Sequence, residues 1–239
     1  MTFRILKFLA LFGFVILLTA CVQAPKKQAF NGAANSHLKE IVLAHNVNQD
    51  EYAAVVIAHP GANFGLIGGL IAAADMQIKS NRLTKALNVS ETRLQEKFSA
   101  QLKEKLEQSG YLVSVVTLTK GTKFDDAIAQ VKSKKLTTDA ILVAEISSSY
   151  IAAGPSSDYF PFVRAKVIKY ENLTSKVLYE DTFTYGYNSG ALQTVHLASG
   201  SEFRFSSIDT LTEDPMKTRL GLTQGVEAIA AQITADLKK

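Results

Sequence analysis

The stretch Ala140-Ile141-Leu142-Val143-Ala144-Glu145-Ile146 decides the fold of this chain. Glu145 alone interrupts the apolar run, which has the length and continuous hydrophobicity of a strand that is covered on both faces. Upstream, the apolar run at 111–118 predicts a second strand, and the helical apolar period at 94–106 predicts a helix before it. Because strands alternate with helices, the sequence predicts crossover connections and at least partly parallel pairing.

The rest of the domain extends this pattern in both directions. Further strands are predicted at 41–43, 52–58, 162–170, 176–187 and, at a sheet edge, 203–206. The Ser-, Ala-, Gly- and Pro-rich stretch 147–158 predicts a loop, and Asp214-Pro215 begins a final helix whose apolar stripe starts at Leu220. The expected fold is α/β (α+β): one mixed sheet of about five to six strands, packed by three to four helices, with a β-hairpin late in the chain.

The N-terminal segment has the three parts of a secretory signal. Arg4 and Lys7 form a short basic start, the apolar run 8–18 follows, and Thr19-Ala20 are small residues before the only cysteine, Cys21. The apolar run is shorter than the ~20 residues that a transmembrane helix needs. The segment 1–20 is therefore predicted to be a signal peptide.

Leu18-Thr19-Ala20-Cys21 resembles the lipobox of bacterial lipoproteins. The resemblance implies cleavage between Ala20 and Cys21 and acylation of Cys21, with palmitate-type chains that hold the protein on a membrane. Val22 follows the cysteine, at the position where an Asp would resemble an inner-membrane retention signal. The absence of Asp there favours the outer membrane. The alternative is a chance cysteine at the end of a signal anchor. We expect a lipid-anchored flexible tether at 21–37 and a single periplasmic domain at 38–239.

Charge and composition exclude several classes of function. Removal of Arg4 and Lys7 with the signal lowers the number of Lys and Arg residues from 26 to 24, against 22 Asp and Glu, and no long basic run remains. A surface with this charge balance is not typical of a nucleic-acid-binding protein. With Cys21 acylated, no thiol is left for a disulfide or a metal site, and the four histidines lack metal-ligand spacing. We therefore expect neither a metal nor a cofactor.

An unusual glycine-rich stretch lies between Gly61 and Asp75. Small residues recur every fourth position, at Gly61, Gly65, Gly69 and Ala73, and bulky apolar residues fill the space between them. In a helix this spacing gives a strip of small residues, which allows close approach of another surface. The strip is interpreted either as a helix packed on its own sheet or as an oligomer or membrane contact. A phosphate-binding loop is a third interpretation, but neither glycine motif of such loops is present.

Two polar residues are candidates for a ligand site. His59 precedes Pro60 at the end of a predicted strand, where open α/β sheets tend to bind ligands. Glu145 is the one acid inside the apolar strand at 140–146, and burial would raise its pKa. Each also has a local interpretation, as a hydrogen-bonding group at a strand end. No Gly-x-Ser-x-Gly motif accompanies them, so no catalytic residue is assigned.

The order of elements at 98–118, 138–143 and 177–181, followed by the C-terminal helix, resembles a group of bacterial envelope lipoproteins. The group includes the curli-secretion channel lipoprotein, the penicillin-binding-protein activator lipoproteins and uncharacterised proteobacterial relatives. The resemblance implies a compact α/β domain that binds other envelope components and carries no catalytic residues. The long membrane-crossing hairpins of the curli channel have no counterpart here.

The leading hypothesis is a non-enzymatic lipoprotein of the outer membrane, on its periplasmic face, that binds a protein partner or assembles with its own copies. The second hypothesis is an enzyme or ligand carrier that acts on cell-wall or lipid material near His59 and Glu145. The third is a structural oligomer built through the strip from Gly61 to Ala73.

Overall fold

A computed structural model describes residues 25–46, 51–63, 65–188, 190 and 194–238 of the chain. The signal segment, Ala20 and Cys21 lie outside the described residues. The seven strands are β1 Glu40–His45, β2 Ala53–Val56, β3 Leu112–Thr117, β4 Ala140–Ala152, β5 Tyr159–Glu171, β6 Val177–Gly186 and β7 Val195–Leu197. The α-helices are α1 Gly65–Leu87, α2 Val89–Thr92, α3 Leu94–Gln108, α4 Phe124–Ser133, α5 Ile208–Glu213 and α6 Pro215–Asp236, with 3₁₀ turns at Pro60–Asn63 and Ser201–Phe203.

All seven strands belong to one mixed sheet, so the predicted fold class is confirmed and the sheet is somewhat larger than expected. The strand order is β3-β1-β4-β5-β6-β7, and β2 also pairs with β4. β1 pairs in parallel with both β3 and β4, as the alternation of strands and helices predicts. The β5–β6 hairpin is antiparallel, and its turn lies at 172–176.

β4 is the organising strand. Its first part pairs in parallel with β1, its last part pairs in parallel with β2, and its other edge pairs with β5 along its whole length. Leu142, Ala144 and Ile146 face the larger core, which α1, α3 and α6 cover. Ile141 and Val143 face the smaller core beneath α4. Helices therefore cover both faces of the sheet, which explains the unbroken apolar run of this strand.

Three local predictions are wrong. The stretch 147–152 continues β4 instead of forming a loop, because Tyr150 and Ala152 point into the core and β2 and β5 supply the backbone partners. The predicted edge strand at 203–206 is a 3₁₀ turn followed by a single bridge between Phe205 and Tyr159. Leu220 is half exposed, and the neighbouring Leu222 takes its place in the buried stripe of α6.

The described part of the segment expected to be a tether lies against the domain. Gln28 forms two antiparallel backbone hydrogen bonds with Glu180 of β6, with N···O distances of 2.7 and 3.0 Å. Beside them, Lys27 Nζ lies 3.3 Å from the buried carboxylate of Asp181. Further along, the ring of Phe30 lies 4.3 Å from Nζ of Lys169, which is fully buried. These contacts position the chain that leads back toward Cys21.

Candidate functional site

His59 closes the turn between β2 and α1. Its Nδ1 accepts a hydrogen bond from the Gly61 amide at 3.0 Å, and its Nε2 lies 3.1 Å from Oδ2 of Asp75. A ring whose Nδ1 accepts carries its proton on Nε2, which then donates to Asp75. The histidine thus has the local role that is typical of a strand end, and it fastens the middle of α1 to the end of β2.

Asp75 joins His59 to a lysine. Lys79 Nζ lies 2.6 Å from the same carboxylate oxygen, and it also forms a hydrogen bond with the hydroxyl of Tyr159. The hydrogen bond from Lys79 lowers the pKa of the Asp75 carboxyl, against the opposing effect of burial. Burial raises the pKa of the Tyr159 hydroxyl. The four side chains form a compact polar cluster at the end of the sheet.

Glu145 lies in a different part of the molecule. It is half-buried on β4 on the face that α4 partly covers, directly opposite Lys166 of β5. β2 ends beside Ala152, and seven residues of strand separate that position from Glu145, a distance of about 23 Å. The structure therefore does not bring His59 and Glu145 together. Among the described residues, no three His, Cys, Asp or Glu side chains are placed to hold a metal ion.

The small-residue strip divides between two elements. Gly61 belongs to the 3₁₀ turn, and Gly65, Gly69 and Ala73 belong to α1. Gly69 and Ala73 are exposed, and a Cβ built on Gly69 would meet no atom within 4 Å. Residues 65–74, here called the apolar arm, are followed by a second half of α1 that does pack on the sheet, through Leu83 and Leu87.

The apolar arm exposes large side chains to solvent. Ile67, Leu70 and Ile71 are 73%, 65% and 61% exposed. No charged residue lies between His59 and Asp75, so the arm is apolar throughout its length. Exposed apolar patches of this kind mark contacts with proteins or membranes. The helical period at 61–87 predicted the helix, but it did not show that half of the helix would extend beyond its own sheet.

A second exposed region, at the edge of the sheet, was not singled out from the sequence. β3 pairs with β1, and no other described strand lies along its outer edge. Leu112 and Val115 are 65% and 42% exposed, and β3 contains no charge and no proline. Natural sheets usually protect such edges with charged residues, proline or bulges. The apolar run at 111–118 predicted the strand, but nothing local shows which strand will lie at an edge.

The backbone of β3 offers hydrogen-bonding groups at this edge. The amides of Leu112 and Leu118 donate hydrogen bonds to the carbonyl oxygens of Lys39 and His45, at the two ends of β1. Because backbone groups alternate along a strand, the amides of Val113, Val115 and Thr117 point to the outer edge. A groove of about 530 Å³ runs beside the start of the strand. Its lining residues are Glu40, Ile41, Glu107, Tyr111, Leu112, Val113, Ser114, Thr137 and Thr138.

None of the described helices is both long enough and apolar enough to span a membrane. No protein-family model matches the chain, so no family evidence supports the resemblance to the curli-channel and activator lipoproteins. No curated protein matches it either.

Solved structures resemble the chain over most of its length. A neuraminyllactose-binding hemagglutinin homolog from Helicobacter pylori is 12% identical with a TM-score of 0.44, covering 91% of this chain and 89% of that chain. The PelC dodecamer from Paraburkholderia phytofirmans is 9% identical with a TM-score of 0.35, covering 89% and 95%. Lipoprotein GNA1162 from Neisseria meningitidis is 15% identical with a TM-score of 0.27, covering 82% and 99%. The similar structures include lipoproteins, at scores that identify no common family.

Proposed function

We propose that this chain is a non-enzymatic lipoprotein of the outer membrane, on the periplasmic side, and that it binds an extended segment of another envelope protein. The acyl chains on Cys21 anchor it, and the outer edge of β3 is the binding surface. The observation that carries the proposal is the uncharged, proline-free edge of β3, with Leu112 and Val115 exposed. An incoming strand would pair with the outward amides, a recognised mode of peptide binding.

The chemistry of β3 indicates the kind of segment that it binds. An added strand hydrogen-bonds through its backbone, so its sequence is recognised by the pockets that take its alternate side chains. Leu112 and Val115 offer apolar contacts, and the adjacent groove leaves room for side chains of the partner. The expected ligand is a short, extended, largely apolar segment. The separation of His59 from Glu145 favours binding over an enzymatic role at those two residues.

Val115→Pro is the sharpest test of strand addition. Proline removes the outward amide of residue 115 and is tolerated on an edge strand whose amide faces solvent, so β1 pairing should survive. Val115→Thr keeps the amide and is the matched control. A photo-crosslinking residue in place of Leu112 reports binding in whole cells, and one in place of Leu173, which is 93% exposed in the hairpin turn, reports background.

We expect a crosslinked product from position 112, absent from position 173, that Val115→Pro removes and Val115→Thr retains. Thermal unfolding of both variants checks that they fold. A crosslink at 112 that persists in the folded Val115→Pro protein would show that strand addition is not the binding mode. The anchor is tested separately: labelled palmitate should be incorporated into the wild-type protein and not into Cys21→Ala.

A further inference from the structure

We infer that the apolar arm, residues 65–74, is inserted into the same membrane leaflet that holds the acyl chains. The domain would then have two membrane contacts, one lipid and one helical. The inference rests on the lipid anchor of the proposed function. It does not depend on what binds to β3.

The register of α1 on the sheet shows that the arm extends beyond the sheet. The Tyr52 amide donates to Thr84 Oγ1 at 2.9 Å, and the Ala54 amide donates to Ser80 Oγ at 3.1 Å. α1 therefore runs antiparallel to β2, and it reaches Asp75 where His59 follows the end of the strand. Residues before Asp75 lie past that end. At ~1.5 Å per residue the arm is about 15 Å long, close to the hydrocarbon depth of one leaflet.

The arm has no polar face, which distinguishes it from an ordinary amphipathic helix. Residues 67, 69, 70, 71, 73 and 74 are all exposed. At ~100° per residue these positions cover an arc of about 200° of the helix, and Ala72, on the remaining side, is buried. A helix that is hydrophobic all round is typical of a protein interior or a membrane. A second copy packed along the small-residue strip would cover one side and leave Ile67 and Ile71 in water, whereas a leaflet would cover the whole exposed face of the arm.

The N-terminal segment runs toward the same end of the domain. Gln28 pairs antiparallel with Glu180, and Lys27 contacts Asp181, so the chain moves toward the C-terminal end of β6 as it is followed back toward Cys21. β6 is parallel to β4 and β2, because β5 is antiparallel to both of its neighbours. The C-terminal ends of these three strands lie together, at the end from which the arm projects.

Cys21 follows in the same direction. Three residues lie between it and Pro25 in the sequence, and an extended chain spans this step in at most about 14 Å. The described chain therefore runs toward the end of the sheet from which the arm projects. Other features of the same end are apolar as well. Ile57 follows β2 and is half exposed, and Met216 at the start of α6 is 80% exposed.

The absence of tryptophan from the chain allows a direct test. The Ile71→Trp variant of the mature, acylated protein places a single tryptophan on the arm, and its emission is excited selectively over that of the tyrosines. The matched control is Leu173→Trp, at the exposed hairpin turn on the opposite end of the sheet. Both are reconstituted into phosphatidylethanolamine–phosphatidylglycerol vesicles with plain or brominated acyl chains.

We expect the Ile71→Trp emission to shift to the blue and to lose about half or more of its intensity in brominated vesicles, because a residue at this point of the arm lies among acyl chains. The Leu173→Trp emission should not change. A blue shift without quenching would mean that protein, such as a second copy, covers the arm, and would overturn the inference. Protein that floats with the vesicles but shows neither effect would also overturn it.

Two further measurements distinguish a failure of this inference from a failure of the proposed function. Vesicle flotation reports whether the protein is membrane-bound, and the mass of the N-terminus reports whether it is acylated. If the mature protein carries no acyl chains and stays in solution, the proposed lipid anchor is wrong, and the leaflet contact that rests on it is rejected as well. An acylated, floating protein with an unquenched Ile71→Trp reporter would leave the anchor standing and reject the leaflet contact alone.

Discussion

Two helices of this protein carry glycines four residues apart, and the structure uses them in opposite ways. In α6, a Cβ on Gly221 would lie 2.6 Å from the hydroxyl oxygen of Tyr150, and a Cβ on Gly225 would lie 2.6 Å from the ring of Tyr185. In α1, a Cβ on Gly69 would meet nothing within 4 Å. The pair in α6 lets the helix approach the aromatic residues of the sheet. The pair Gly65 and Gly69 lies in the apolar arm, beyond the sheet.

Glycine spacing therefore indicates that a helix can pack closely, but it does not indicate which surface the helix packs against. Close packing in α6 depends on Tyr150 and Tyr185, which belong to β4 and β6 and are distant in sequence. Tyr150 also donates a hydrogen bond to the Thr218 carbonyl at 3.0 Å, which fixes the helix at this distance. No described atom lies within 4 Å of a Cβ on Gly69, so this glycine carries the helix-propensity cost without a packing gain inside the domain.

The largest expected effect is that of Gly225→Leu. Its Cβ would lie 2.6 Å from Tyr185 and 2.8 Å from Val163, so the helix or the sheet must shift. We expect the free energy of unfolding to fall by about 3 kcal/mol or more, since overpacking of a close contact is costly. Urea denaturation measures it. The matched variant Gly69→Leu should unfold close to wild type, and an equal loss in both would contradict the contrast between the two helices.

A smaller effect of opposite sign is expected for Gly69→Ala. Alanine is favoured over glycine inside a helix by about 0.8–1 kcal/mol, and the added methyl group meets no neighbour in the domain. The variant should be more stable than wild type by about this amount in urea denaturation of the detergent-solubilised protein. A loss of stability would show that another surface packs against Gly69 there, as in a helix-to-helix contact between copies.

The smallest effect concerns Asp75, which stands between the exposed and the packed halves of α1. Because Lys79 lowers the pKa of Asp75 in the folded protein, the carboxylate stabilises the fold above its unfolded pKa, and this contribution is lost as the pH falls through the lowered value. Asp75→Asn should cost less than about 1 kcal/mol at pH 7, since the group is partly exposed. The difference from wild type in thermal unfolding should shrink as the pH falls through the lowered pKa; a difference that does not shrink in acid would contradict the electrostatic origin.

Periodicity predicted the elements of the fold well. Strands at 41–43, 111–118 and 140–146, the hairpin and the final helix all occur within a few residues of their expected positions. The extension of β4 through 147–152 could not be seen, because a run of three serines has the composition of a loop. Pairing with β2 and β5 satisfies that backbone, and only the tertiary structure supplies those partners.

The candidate sites were less accessible to sequence reasoning. The local role of His59 follows from its own neighbours, and the sequence offered it as one of two interpretations. Its distance from Glu145 depends on strand register, and the exposed edge of β3 depends on strand order. Neither is encoded in local pattern. Gly221 and Gly225 in α6 have the same four-residue spacing as Gly65 and Gly69 in the arm, so spacing alone does not distinguish the two helices.

The pairing of Gln28 with Glu180 has a mechanical consequence. A pull from the proposed anchor on Pro25 would act along the direction of β6, so the two backbone hydrogen bonds and the Lys27–Asp181 ion pair would be loaded together in shear. Bonds loaded together resist a force better than bonds that are peeled open one after another. A force on the proposed anchor would thus be borne first by the segment 27–28 and the side of β6, before it reached the core of the sheet.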